Sequence, residues 1–333
     1  MVGLDNGGTC NNATVLDATG RFLVDHLVEN PSLVQEGPES AIEQLAEAFT
    51  GILTMTSTPL TLVRAVGLDT PGPASATGVI SSKGATNFSQ VSWRGFDIRG
   101  ALENRIGLPV VYNNDANAAA LYAHHRHFGS AALTHSSVSA IVGTGLGGGV
   151  VESGKVVSGA AGMAGELGHV QIPLHGVLEP DQQMPLCNCG FEGDVESLAS
   201  LTGIKNNLLP YWLGRFPDHP LAREPIGTAA KLLRSYGEKE DPLALAVFGQ
   251  QAKAIGKLFT IAANFTDPDA YFLGGGVVEA APKFRQWFLN TVRENTGLRQ
   301  EQTAAATFAL VPDLDMAGAR GAAVAALDRV QVS

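Results

Sequence analysis

Between residues 139 and 196 the sequence gathers the side chains best suited to chemistry: Glu166, His169, Cys187, Cys189 and Glu196, preceded by Gly143, Gly145, Gly147, Gly148 and Gly149. Carboxylates orient and deprotonate hydroxyls, a His with two Cys can hold a metal ion, and clustered glycines let backbone N–H groups approach an anion. Gly143, Gly145 and Gly148 satisfy the dinucleotide pattern G-x-G-x-x-G, but that fingerprint demands a helix straight after the glycines. Residues 150–157 instead alternate and turn at Ser153-Gly154 like a hairpin. A β-hairpin whose glycine turn aims N–H groups at an anion is what remains; a tight turn without function is the plain alternative.

The elements that must position these residues follow from pattern. The N-terminus repeats the plan of the 139–157 segment. An apolar strand at 2–4 leads into Asp5-Asn6-Gly7-Gly8-Thr9, a second strand at 13–16 ends in a Gly20 turn, and a third is expected at 21–24. Two copies of one unit, far apart in sequence, suggest a two-domain α/β protein with a cleft between the copies. Apolar spacing predicts helices over 37–56, 97–106, 116–128 (stopped by Gly129), 226–236, 242–265, 283–296 and 317–330. Strands are expected at 62–68, ending in an Asp69–Pro73 loop, at 109–112, running into Asn113-Asn114-Asp115, and at 270–273, running into Gly274-Gly275-Gly276. Residues 178–185 read as a mobile loop.

Composition narrows the class. A chain of 333 residues with 45% hydrophobic and 16% charged content can bury one large or two medium cores. A net charge of −10 argues against a general nucleic-acid binder. No apolar run is long enough to span a membrane, and the first residues are no signal peptide. Three cysteines build no disulfide framework, which leaves a cytoplasmic enzyme as the expectation.

Six motifs in order resemble the ROK family of sugar kinases and related repressors. They are Asp5-x-Gly7-Gly8-Thr9, Asn114-Asp115-Ala116-Asn117, Gly143-Thr144-Gly145-x-Gly147-Gly148, Gly165-Glu166-x-Gly168-His169, Cys187-x-Cys189-Gly190 and Leu273-Gly274-Gly275-Gly276. The resemblance covers nearly the whole chain. It implies the two-domain actin-like ATPase (ribonuclease-H-like) fold. The N-terminal domain would span 1–115, completed by the C-terminal helix at 317–333, and the larger C-terminal domain would span 116–316. The implied activity is ATP-dependent phosphorylation of a hydroxyl, of the C6 type, on a glucose-like hexose. ATP and Mg²⁺ are the implied cofactors, a sugar or sugar-like polyol is the partner, and a homodimer is an admitted assembly. Repressor members carry a DNA-binding helix-turn-helix before the first hairpin; this sequence starts at the hairpin, which favours the kinase branch.

Residue by residue, the resemblance makes Asp115 the general base, because a sugar hydroxyl is a poor nucleophile and needs a carboxylate within reach of its proton. The bland reading of Asp115 is a helix N-cap. Asn87, Asn114, Glu166, His169 and Glu196 resemble the sugar ligands, and the Gly72 loop lines the same pocket by likeness. Gly7, Gly8 and Thr9 would face the ATP phosphates from one side, Thr144 and Gly145 from the other. Asp5 would orient the Mg²⁺ shell, and Gly275 and Gly276 would let the nucleotide's α-phosphate or ribose approach.

Two departures from the family pattern stand out. Many members close a structural zinc site with a His and three Cys; here His169, Cys187 and Cys189 match, but Asp194 stands at the third Cys. Zinc held by these four, with His175 as a substitute ligand, and a metal-free turn with His169 as sugar ligand only both stay open. Cys10 stands where the family often has Lys. The cluster His124, His125 and His127 reads as helix-end cations. Alternative substrates are an amino sugar, another hexose or a cyclitol. Alternative classes are a sugar-sensing regulator without catalysis and an actin-like ATPase with a protein partner.

Overall fold

The computed structural model describes residues 1–72, 74–81 and 87–331. Pro73, in the expected loop, and Val332 and Ser333, at the end of the expected C-terminal helix, lie outside them. The strands are β1 (Val2–Asn6), β2 (Cys10–Val15), β3 (Glu29–Pro31), β4 (Val66–Thr70), β5 (Val110–Asn114), β6 (Ser136–Val142), β7 (Leu146–Glu152), β8 (Lys155–Val156), β9 (Ala270–Gly275) and β10 (Thr307–Leu310). The helices are α1 (Pro38–Met55), α2 (Ile98–Ile106), α3 (Asp115–Phe128), α4 (Glu196–Ala199), α5 (Leu201–Gly203), α6 (Leu209–Arg215), α7 (Ile226–Gly237), α8 (Pro242–Phe265), α9 (Pro282–Glu294), α10 (Gln300–Ala305) and α11 (Leu314–Gln331).

Among the described residues the strands form two five-stranded sheets, ordered β3-β2-β1-β4-β5 and β10-β9-β6-β7-β8. Read from the hairpin outward, β8-β7-β6-β9-β10 repeats the first order strand for strand. The senses agree as well: β1 runs parallel to β4 and β4 to β5, as β6 does to β9 and β9 to β10. The duplicated hairpin seen in the sequence is therefore the start of a duplicated sheet.

The chain divides into two compact units. The first comprises Met1–His135, Gly149–Gly165 and Val311–Ser333, and the second Ser136–Gly148 and Glu166–Leu310. In the first, β1 and β4 each open on an apolar Val-Gly-Leu run that is buried because both faces are covered. Leu45, Phe49 and Ile52 of α1 share a buried cluster with Leu4, Val66 and Leu68. On the other face α11 lies directly on the sheet: a Cβ on Gly3 would meet the Ala319 carbonyl, and one on Gly67 the Ala322 carbonyl. Gly321 lets the same helix close on the backbone of Ala118 in α3. That contact keeps α3 with the first unit, whereas the sequence reading starts the second domain at Ala116.

In the second unit α8 packs against β6, and α9 packs against α8 and β10. Phe259 and Phe288 are fully buried, and Tyr271 stacks on Phe308 at 4.8 Å. Asp241 caps α8 by accepting the Ala244 N–H at 3.0 Å, with Pro242 at the first helical position, which is why the sequence pattern located this helix to the residue.

Local chemistry moved three expectations. Residues 21–24 make only a bridge, Leu16 to Phe22, because Asp17 Oδ1 accepts from Thr19 and Arg21 and closes a tight turn; the third strand is β3. The strand expected at 62–68 begins at Val66, after a 3₁₀ turn at Leu60–Leu62. The 178–185 loop is strapped down: Asp181 accepts from Tyr211 Oη at 2.7 Å and Arg215 Nη2 at 2.6 Å, and Gln250 Nε2 donates to the Val177 carbonyl at 2.9 Å. Among the described residues no helix is long and apolar enough to cross a membrane.

Candidate active site

The first unit builds its part of the site at the ends of β1, β4 and β5. In the β1–β2 turn, Gly7 N–H donates to the Cys10 carbonyl at 2.9 Å, and a Cβ on Gly7 would sit 2.7 Å from that oxygen. The next two N–H groups, of Gly8 and Thr9, donate to nothing among the described residues. Asn87 lies over this turn, its Oδ1 2.9 Å from where a Gly8 Cβ would be. Gly72 is exposed beyond β4, with only the Ala74 nitrogen, at 3.9 Å, near its Cβ position among the described residues.

Asp115 opens α3 and is exposed. The N-cap is Asn114, whose Oδ1 accepts the Asn117 N–H at 2.7 Å. Capping therefore falls to the amide, leaving its Nδ2 donor for a ligand. Asp115 Oδ1 accepts the adjacent Ala116 N–H at 2.7 Å.

Asp5 pairs in register with Asp69, each ending the same tetrapeptide, Val-Gly-Leu-Asp, on parallel strands. Burial raises the Asp5 carboxyl to about 7, with the negative charge of Asp115 as the next cause. Asp69 is wholly buried, and neither of its oxygens has a hydrogen-bond partner in good geometry. Burial pushes its pKa well up, and the charges of Asp5 and then Asp115 add to this. Three carboxyls thus share one electrostatic neighbourhood. Asp69 was missed in the sequence, although the repeated tetrapeptide was a signal that could have found it.

The second unit repeats the turn. Gly143 N–H donates to the Gly145 carbonyl at 2.9 Å, while the N–H groups of Thr144 and Gly145 donate to nothing among the described residues. The turn's outer carbonyls are taken up by α5: Leu201 N–H reaches Gly143 O at 3.0 Å, and Thr202 Oγ1 reaches Thr144 O at 2.8 Å. Beside it, β9 ends in register with β6, Val142 opposite Gly275, and Gly276 N–H donates to Val142 O at 3.1 Å. A Cβ on Gly275 would collide with Val142, and its φ of 94° suits glycine.

Glu196 is held tightly. Its Oε2 accepts the Leu146 N–H at 2.9 Å and its Oε1 faces Cys187 Sγ at 3.4 Å. The Glu166–His169 turn packs alongside, with Gly168 against Leu146 and 3.3 Å separating a Gly168 Cβ from the Cβ of Glu196. Glu166, His169 and Glu196 therefore converge next to the second glycine turn.

His169, Cys187, Cys189 and Asp194 bring their ligand atoms within 4.8 Å of one another. Asp194 is fully buried; its Oδ1 accepts the Ser197 N–H at 2.8 Å and its Oδ2 lies 3.2 Å from His169 Nδ1 and 3.5 Å from Cys189 Sγ. One nitrogen, two sulfurs and one carboxylate oxygen at this spacing fit a tetrahedral zinc ion. His175 is not part of the group. Among the described residues the histidines of α3 form no metal-ligating group: the His124 and His125 rings meet edge-on at 5.6 Å, but His124 contacts the Ala132 carbonyl and His125 that of Gly154.

Comparison with known proteins bears on the family and the fold. The description of the ROK family matches residues 1–329. A glucokinase of Halalkalibacterium halodurans is 32% identical over 284 residues, covering 84% of this chain and 81% of that protein. The crystal structure of a ROK hexokinase from Thermus thermophilus superposes with a TM-score of 0.78 at 33% identity, covering 100% of this chain and 99% of that one. A ROK glucokinase from Streptomyces griseus, solved with glucose and AMPPNP, gives a TM-score of 0.68 at 27% identity, with 98% and 99% covered. The fold is the two-domain actin-like ATPase fold of these kinases.

Proposed function

The chain belongs to the ROK family, and on that premise we propose that it transfers the γ-phosphoryl group of ATP to a hydroxyl, of the C6 type, of a glucose-like hexose. The observation that carries the proposal is the matched pair of glycine turns, each with two successive N–H groups left unspent: Gly8 and Thr9 in one, Thr144 and Gly145 in the other. Such donors suit phosphate oxygens.

In this reading Asn87, Asn114, Glu166, His169 and Glu196 hold the hydroxyls, with the Gly72 loop beside them. Asp115 takes the proton of the attacking hydroxyl while its oxygen bonds to the γ-phosphorus, and the bond from that phosphorus to the bridging oxygen breaks to release ADP. That the N-cap bond from Asn117 falls to Asn114 suits Asp115 to this task. Asp5, beside the first turn, would hold the water shell of Mg²⁺, which neutralises phosphate charge when bound. Gly275 and Gly276 would let the α-phosphate or ribose approach their backbone. His169, Cys187, Cys189 and Asp194 would hold a structural zinc, fixing the turn that carries Glu166 and His169.

A coupled assay of ADP production over glucose, mannose, N-acetylated hexosamines and inositol tests the proposal. Turnover that depends on a hexose is expected. Calorimetric sugar binding with no turnover would assign the chain to the sugar-sensing class instead, and sugar-independent ATP turnover to the partner-driven ATPases.

A further inference from the structure

Neither glycine turn carries a cation of its own: residues 5–14 and 139–149 contain no Lys or Arg, and the chain is strongly acidic. A nucleoside triphosphate brings several negative charges, so fixed positive charge beside it has value beyond what backbone N–H groups supply. In the second unit, one guanidinium is bonded to the glycine segment itself. Arg234, on α7, donates from Nη1 to the Gly276 carbonyl at 2.8 Å and to Glu279 Oε2 at 2.9 Å. Gly276 is exposed, and its N–H is tied to Val142, the residue before the other glycine turn of this unit. The remaining donors of Arg234, on Nε and Nη2, make no hydrogen bond among the described residues, and its side chain is 42% exposed. Arg285, on α9, bonds further along, at the Val278 carbonyl.

We infer that Arg234 is a nucleotide-binding residue, whose guanidinium contacts the phosphate oxygens of the nucleoside di- or triphosphate seated at Gly275 and Gly276. Glu279 and the Gly276 carbonyl fix one nitrogen and so pre-orient the planar fork, leaving the other donors for the anion. The inference rests on the assignment of that glycine segment to the nucleotide.

Isothermal titration calorimetry of the full chain with ADP and with adenosine tests it. Arg234→Ala should weaken ADP binding on the order of tenfold or more and leave adenosine within about twofold, since the lost contact is a charge-assisted one to phosphate. Arg234→Lys should lose less, having kept the charge. Unchanged ADP affinity in Arg234→Ala, or equal weakening of ADP and adenosine, would overturn the inference. Failure of the unaltered protein to bind ADP would strike instead at the nucleotide assignment on which it rests.

Discussion

Asp5 and Asp69 are direct register partners on adjacent parallel strands, and Gly318 of α11 lies so close to both carboxyls that a Cβ there would approach each within about 3 Å. A half-buried acid beside a fully buried one cannot ionise freely together with it. An acid whose folded pKa lies above its unfolded value binds more protons folded than unfolded between the two. Stability of the metal-free protein should therefore fall as pH rises from about 4 to about 7, the Asp5 value. Asp69→Asn should flatten that fall and raise stability at pH 8. Urea unfolding across this range checks both; a variant with an unchanged slope would contradict the account.

Glu196 links the second glycine turn to the Cys-bearing loop, through Leu146 N–H and Cys187 Sγ. Glu196→Ala should lower kcat/KM for both ATP and sugar by roughly tenfold to a hundredfold, as expected for loss of charge-assisted bonds. Glu196→Gln, which can still accept from Leu146, should lose less. If only the sugar KM moved, the link to the turn would carry no function.

The His169, Cys187, Cys189 and Asp194 group should hold one zinc per chain, measured by elemental analysis of purified protein. Cys189→Ala should lose the metal and melt at lower temperature, because a structural ion stabilises the fold it binds. Asp194→Cys should bind zinc more tightly. Protein purified without chelators that carried no stoichiometric zinc would contradict the assignment.

Gly67→Ala drives a methyl into the Ala322 carbonyl and should destabilise the protein by about 1–3 kcal/mol in denaturant titration. Gly51, exposed in α1 with open space around it, is the counterpart: Gly51→Ala should stabilise by about 0.5–1 kcal/mol. Equal effects at the two sites would show that α11 does not sit on the sheet as described.

What could be read from the sequence were features written in local code. Glycine turns need glycine, α8 announces itself by Asp241-Pro242, and the paired hairpins repeat a visible plan. What could not be read depends on register and on contacts between distant segments. Asp69 matters because β4 pairs with β1, and Glu196 turns inward because Leu146 presents an N–H to it. Asn114 rather than Asp115 caps α3, a choice between neighbours that composition alone does not decide. The 178–185 loop looks free in sequence, and Tyr211 and Arg215, some 30 residues on, hold it.

The central claim is that Asp115 accepts the proton of a bound sugar hydroxyl during phosphoryl transfer. The most direct measurement compares turnover and calorimetric sugar binding in the unaltered protein and in Asp115→Asn. The account predicts a loss in kcat of at least about a hundredfold with sugar affinity retained. An Asp115→Asn protein that turned over at a near-normal rate would contradict it.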